Sequence, residues 1–161
     1  EASCVDFFVY DMNVYLAEYG RSLFYHSGKV ANVLSATNIQ GLQASMPPNG
    51  HIAILISHTG ENERLIEIAK MLRKNKTKVI ILAGRRNSTI IPYADEFIYA
   101  AGKKKVEEFW NSMFFASGKY ILDILYEMEF SRKYEENLKL NLKYEQSGAK
   151  RLWGLVDDTI V

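Results

Sequence analysis

The sequence predicts an open three-layer α/β/α sandwich with a parallel five-stranded sheet, followed by long C-terminal helices. Three observations carry this. Apolar, branched runs of strand length alternate with segments whose apolar residues recur at the helical period. The run Ile52-Ala53-Ile54-Leu55-Ile56 stops on small hydroxyl residues and a Gly just where an amphipathic segment begins. From Lys105 onward the pattern is helical, with no strand signal between the apolar residues. Strand and helix alternating in this way require right-handed crossovers, which place helices on both faces of a parallel sheet.

In order, Val5 to Tyr10 reads as the first strand. Asn13 to Tyr25 reads as a helix, with Leu16, Ala17, Gly20 and Leu23/Phe24 on one face and Ser27-Gly28 ending it. Val30 to Ser35 is the second strand, and Gln40 to Ala44 a short helix or loop. Met46-Pro47-Pro48-Asn49-Gly50 is the clearest turn, and it delivers the strand His51 to Ile56. A helix follows from about Asn62 to Asn75: Leu65, Ile68, Ala69 and Leu72 share a face, while Glu63, Arg64, Glu67 and Lys70 lie largely off it. Lys78 to Ala83 is a buried strand closed by Gly84. Ile90-Ile91-Pro92 suits a short turn, and Glu96 to Tyr99 is the last strand. Phe109, Met113, Phe114, Tyr120, Ile121, Ile124 and Leu125 then mark a long helix, followed by the charged segment Glu127 to Gln146 with a weaker stripe of Tyr134, Leu138 and Leu142.

Composition narrows the function. With 161 residues, 48% of them apolar, the chain has enough material for one compact domain. Lys plus Arg number 20 against 19 Asp plus Glu, so no overall positive field points to direct nucleic-acid binding. The single cysteine, Cys4, rules out an internal disulfide and favours a reducing, cytoplasmic setting. His26, His51 and His58 are not at ligand spacing, so no metal and no cofactor are expected. No apolar run approaches the roughly 20 residues that span a bilayer, and the acids after Glu1 are unlike a secretory signal.

The chemistry concentrates in Ser57-His58-Thr59-Gly60-Glu61-Asn62. First-turn amides of a helix have no intrahelical acceptor and carry the positive end of the macrodipole, so an anion is stabilised there without Lys or Arg. Ser57, Thr59 and Asn62 add side-chain donors, and Gly60 lets the backbone approach a ligand closely. The same residue types also serve as plain helix caps. Ser88 and Thr89 follow the next strand, where ligands of open α/β sheets collect, and equally suit a polar turn over the sheet edge. No Gly-Lys-Ser/Thr ending supports a nucleotide loop, and no Ser-His-Asp or Cys-His set supports nucleophilic catalysis.

Ser57 to Asn62 resembles the Ser-x-Ser/Thr-Gly-x-Ser/Thr phosphosugar loop of sugar isomerase (SIS) domains, and the likeness runs through roughly residues 5 to 130. Glu63 to Lys70, Lys78 to Gly84, Asn87-Ser88-Thr89 and Tyr93-Ala94-Asp95 continue it. The tail with Phe109, Phe114, Ala116, Ser117 and Ile121 to Tyr126 looks most like the effector domain of RpiR-type bacterial transcriptional regulators.

The resemblance implies a flavodoxin-like sheet and a sugar phosphate bound by Ser57, His58, Thr59, Gly60, Glu61, Asn62, Ser88 and Thr89. It further implies a homodimer or higher homo-oligomer, with DNA reached only through an N-terminal helix-turn-helix domain outside this chain. Two positions depart from the pattern. SIS domains carry Gly-x-Gly-x-Ser after the first strand, where Tyr10-Asp11-Met12-Asn13-Val14-Tyr15 stands here without a Gly, leaving Asp11 and Asn13 as first-loop candidates. Asn62 replaces the last hydroxyl, though its amide can still donate. Glu61 either orients a sugar hydroxyl or is an acid favoured by the helix dipole. An aldose–ketose isomerase would draw its base from Glu61, Glu107 or Glu108, but the latter two sit in a run that reads as a solvated helix start. The remaining alternative is a SIS-like dimerisation module without a ligand.

Overall fold

The computed structural model describes residues 2–101 and 110–147. Five strands form one sheet: β1 (Cys4–Phe8), β2 (Val30–Leu34), β3 (His51–Ser57), β4 (Lys78–Ala83) and β5 (Glu96–Tyr99). Every neighbouring pair is parallel, in the order β2-β1-β3-β4-β5. The helices are α1 (Asn13–His26), α2 (Thr37–Ser45), α3 (Glu63–Lys74), α4 (Trp110–Arg132) and α5 (Tyr134–Gln146), with a single 3-10 turn at Ile91–Tyr93. The chain leaves β1 toward one edge and β3 toward the other, so the order reverses between these strands, and the carboxyl ends of β1 and β3 flank the crevice where open α/β sheets hold ligands.

Alternation along the strands divides the core. Val5, Phe7, Ile54, Ile56 and Leu82 face α1 and α4, where they meet Leu16, Ala17, Phe24, Phe114 and Leu122. Phe8, Ala53, Leu55, Val79 and Ile81 face the opposite way and pack on Leu65, Ile68, Ala69 and Leu72 of α3 and Ala44 of α2. Each large aliphatic side chain so enclosed contributes roughly 1.5–3 kcal/mol. The helices α1 and α4 approach closely because Gly118 faces Leu16, whose Cδ2 would lie 2.6 Å from any Cβ added there.

Several bounds differ from the sequence reading. The strand β1 ends at Phe8 because Val9 and Tyr10 already lead into a left-handed turn at Asp11. The helix α2 is a full nine-residue element; its few apolar residues hid it, and it is anchored by Gln40, whose Nε2 donates to the carbonyls of Val9 and Leu34. The tail helix α5 folds back on α1 through polar residues, Asn141 pairing with His26, while Tyr134, Leu138 and Leu142 stay exposed. Phe109 and the side chain of Trp110, together with Leu152 and Trp153, which the sequence offers as aromatic and aliphatic anchors for a dimer interface, lie outside the described residues. No described helix is long and apolar enough to cross a membrane.

Candidate functional site

The loop from Ser57 to Asn62 joins the carboxyl end of β3 to the amino end of α3. Asn62 caps that helix: its Oδ1 accepts from the Leu65 amide at 3.1 Å, which leaves Nδ2 to donate. Glu63 occupies the first turn and Arg73 and Lys74 the last, so charge and macrodipole agree at both ends. Within the loop, the Gly60 amide donates to Ser57 Oγ at 3.0 Å and the Glu61 amide to Thr59 Oγ1 at 3.2 Å. Each hydroxyl thereby accepts one bond and keeps its own hydrogen for donation to an anion. Gly60 adopts φ +71°, which glycine reaches without strain.

A second loop, residues 84–90 after β4, is fastened to the first. The Gly84 amide donates to the His58 carbonyl at 3.0 Å and the Ile90 amide to the Gly60 carbonyl at 3.2 Å. Ser88 is buried beneath Gly60, so close that a Cβ there would stand 2.2 Å from its Oγ. Glu61 closes the assembly: its carboxylate accepts from the Thr89 hydroxyl at 2.6 Å and the Thr89 amide at 3.1 Å. These bonds, the hydroxyl's first, hold the Glu61 carboxyl below its ordinary range, and the charge of Arg85 acts in the same direction. A carboxylate so occupied is a weak general base.

His58 projects from the same loop, half-buried, with its ring 4.8 Å from that of Phe114 on α4. Burial, and after it the nearby charge of Arg85, lowers its pKa, so the imidazole is neutral at pH 7. The sequence pattern singled out neither Arg85 nor Arg64. Arg64, in the first turn of α3, donates to Thr37 Oγ1 at 3.1 Å and lies over the Tyr10 ring, 5.8 Å from its centroid. Both bring positive charge to this end of the sheet, and only the tertiary arrangement reveals it.

The first loop contributes differently. Asp11 takes φ +52°, making in an Asp the left-handed turn that a glycine would make at no cost. The Asn13 amide donates to the Tyr10 carbonyl at 3.2 Å and opens α1, while Asp11, Met12 and Tyr15 are exposed. The structure thus brings Ser57, His58, Thr59, Gly60, Glu61, Asn62, Ser88 and Thr89 into one double loop, with Asp11 and Asn13 following β1, the strand beside β3. Glu107 and Glu108 lie outside the described residues. The one cluster of three metal-ligating side chains among the described residues sits at the opposite end of the sheet.

A family model described as SIS domain matches residues 15–121. No curated protein matches the chain significantly in sequence. Among solved structures it is similar to the Vibrio vulnificus NanR protein complexed with ManNAc-6P, at 16% identity and a TM-score of 0.77, covering 89% of this chain and 56% of that one. The chain therefore spans little more than half of that protein's length. It is also similar to the sugar isomerase domain of an RpiR transcription factor from Sphaerobacter thermophilus, with 13% identity, a TM-score of 0.76 and coverage of 90% and 79%. A Methanococcus jannaschii protein whose structure infers a 3-hexulose-6-phosphate isomerase function gives 19% identity, a TM-score of 0.66 and coverage of 84% and 75%. At these identities the likeness is one of fold.

Proposed function

Because the chain belongs to the SIS domain family, we propose that it is the phosphosugar-sensing effector domain of a bacterial transcriptional regulator. It binds a sugar phosphate at the loop Ser57–Asn62 and controls an attached DNA-binding domain. The observation that carries this reading is the convergence, at one strand end, of two hydroxyls with hydrogens to donate, the Asn62 amide and the amino end of α3. That set suits a phosphate, and Arg64 and Arg85 add positive charge nearby. The similarity in fold to the NanR protein complexed with ManNAc-6P supports the same ligand class.

Occupancy is passed on only if two states of the protein differ in affinity for the sugar phosphate. A homodimer built on α4 and α5 supplies the element that two such states would rearrange. The isomerase alternative loses support from Glu61, which Thr89 engages twice. Calorimetry against a panel of sugar phosphates tests the reading, with bound ligand also raising the melting temperature. Thr59→Val is expected to weaken binding by about 1–3 kcal/mol, because a charged acceptor loses a donor. Unchanged affinity would move the site elsewhere, and turnover of fructose 6-phosphate by the purified chain would favour the enzyme.

A further inference from the structure

The amino ends of the strands carry a second concentration of chemistry, about 20 Å from the loop by the rise of β3. Cys4 stands opposite His51 in the β1–β3 register, and Asp6 stands opposite Asn32 in the β1–β2 register. Cys4 and Asp6 share one face of β1, two residues apart, so the sheet itself gathers a thiol, a carboxyl and an imidazole. Their ligating atoms all lie within 4.8 Å of one another. Asp6 Oδ2 is 2.8 Å from His51 Nδ1, and Cys4 Sγ is 3.8 Å from Asp6 Oδ1. Two carboxamides complete the ring. Asn32 Nδ2 donates to Asp6 Oδ1 at 2.8 Å and to Cys4 Sγ at 3.4 Å, and Gln43 Nε2 of α2 donates to Asp6 Oδ2 at 2.7 Å.

We propose that Cys4, Asp6 and His51 form a binding site for a thiophilic divalent cation of the zinc class. The argument rests on charge and ligand type. Asp6 is 3% exposed, and a carboxyl buried beside a thiol costs desolvation that an apolar pair of similar size would not. A thiolate and a carboxylate together supply two negative charges, which a divalent cation balances, and thiolate with imidazole selects zinc-like ions over calcium or magnesium. The ion displaces the Cys4 thiol proton, which passes to solvent, and binds Nδ1 of a neutral His51 whose hydrogen sits on Nε2, so that thiolate and carboxylate alone balance the two positive charges. Rotation of the Asn32 or Gln43 carboxamide presents an oxygen as fourth ligand. Access is from the His51 side, where the side chain keeps 17% of its surface.

Cobalt(II) is the probe. Titrated into the reduced chain, it should produce a thiolate-to-cobalt charge-transfer band that saturates at one ion per chain and is displaced by zinc. Cys4 is the one cysteine of the sequence, so the band can arise from no other residue. Cys4→Ser should abolish it, and His51→Gln should weaken cobalt binding about tenfold or more. His51→Gln, altering a partly exposed side chain, keeps the test valid if Cys4→Ser fails to fold. Absence of the band in the wild-type chain, or undiminished cobalt affinity in His51→Gln, overturns the proposal. Sugar-phosphate affinity is expected to be the same in His51→Gln, so failure of this site and failure of the phosphosugar reading are separable.

Discussion

Gly60 is fixed by two independent constraints. Its φ of +71° is a conformation that costs other residues roughly 1–2 kcal/mol, and Ser88 fills the space a Cβ would need. Gly60→Ala should therefore destabilise the domain by about 2 kcal/mol or more in urea unfolding. Adding Ser88→Gly should return the steric part while leaving the backbone part; a double variant as unstable as the single one would contradict this account. His58 carries a pH signature. Its folded pKa lies below the unfolded value near 6.5, so the unfolded chain takes up the proton first as pH falls. Its contribution is therefore flat above pH 6.5 and turns against the fold as pH drops from there toward the folded pKa. The stability difference between wild type and His58→Gln across that window should show this slope, and a pH-independent difference would contradict it.

On the proposed reading, the cap of α3 and a ligand contact would coincide in Asn62. Asn62→Ala should cost about 1 kcal/mol of stability through the lost cap. Asn62→Asp keeps the cap and suits the helix dipole, yet places a like charge beside the phosphate, so thermal stability should hold while calorimetric affinity falls. Equal losses in both measurements would mean that Asn62 does not face the ligand. Elements with strong periodicity were legible in the sequence: α3 begins and ends within a residue of its caps, and β4 and β5 have the expected bounds. The helix α2 was blurred because only Gln40 and Ala44 of its residues are buried. The candidate loop was legible as a local strand-to-helix motif. Its fastening to residues 84–90 was not, because Glu61 and Thr89 are brought together by the β3–β4 register. The spacing of Cys4 and His51 in the sequence hid their juxtaposition for the same reason, since their pairing is a property of the sheet.

At the scale of the molecule, α4 buries Phe114 and Leu122 against the sheet and α1, yet leaves Tyr120 66% and Met128 62% exposed. Leu138, Leu142 and Tyr144 of α5 are also in solvent, and we propose that these side chains pack in a two-fold contact between copies of the chain. Sedimentation at micromolar concentration should give a dimer; a monomer there would remove the proposed route from ligand occupancy to a DNA-binding domain. The fastened double loop has a consequence for timing. Its rim is closed by the bonds from Gly84 to His58 and from Ile90 to Gly60, so on the proposed reading a sugar phosphate would meet a cradle that needs no prior ordering. Arrival rates should then vary little from one sugar to another, and discrimination would be expressed as dwell time, the preferred sugar being the one that leaves most slowly.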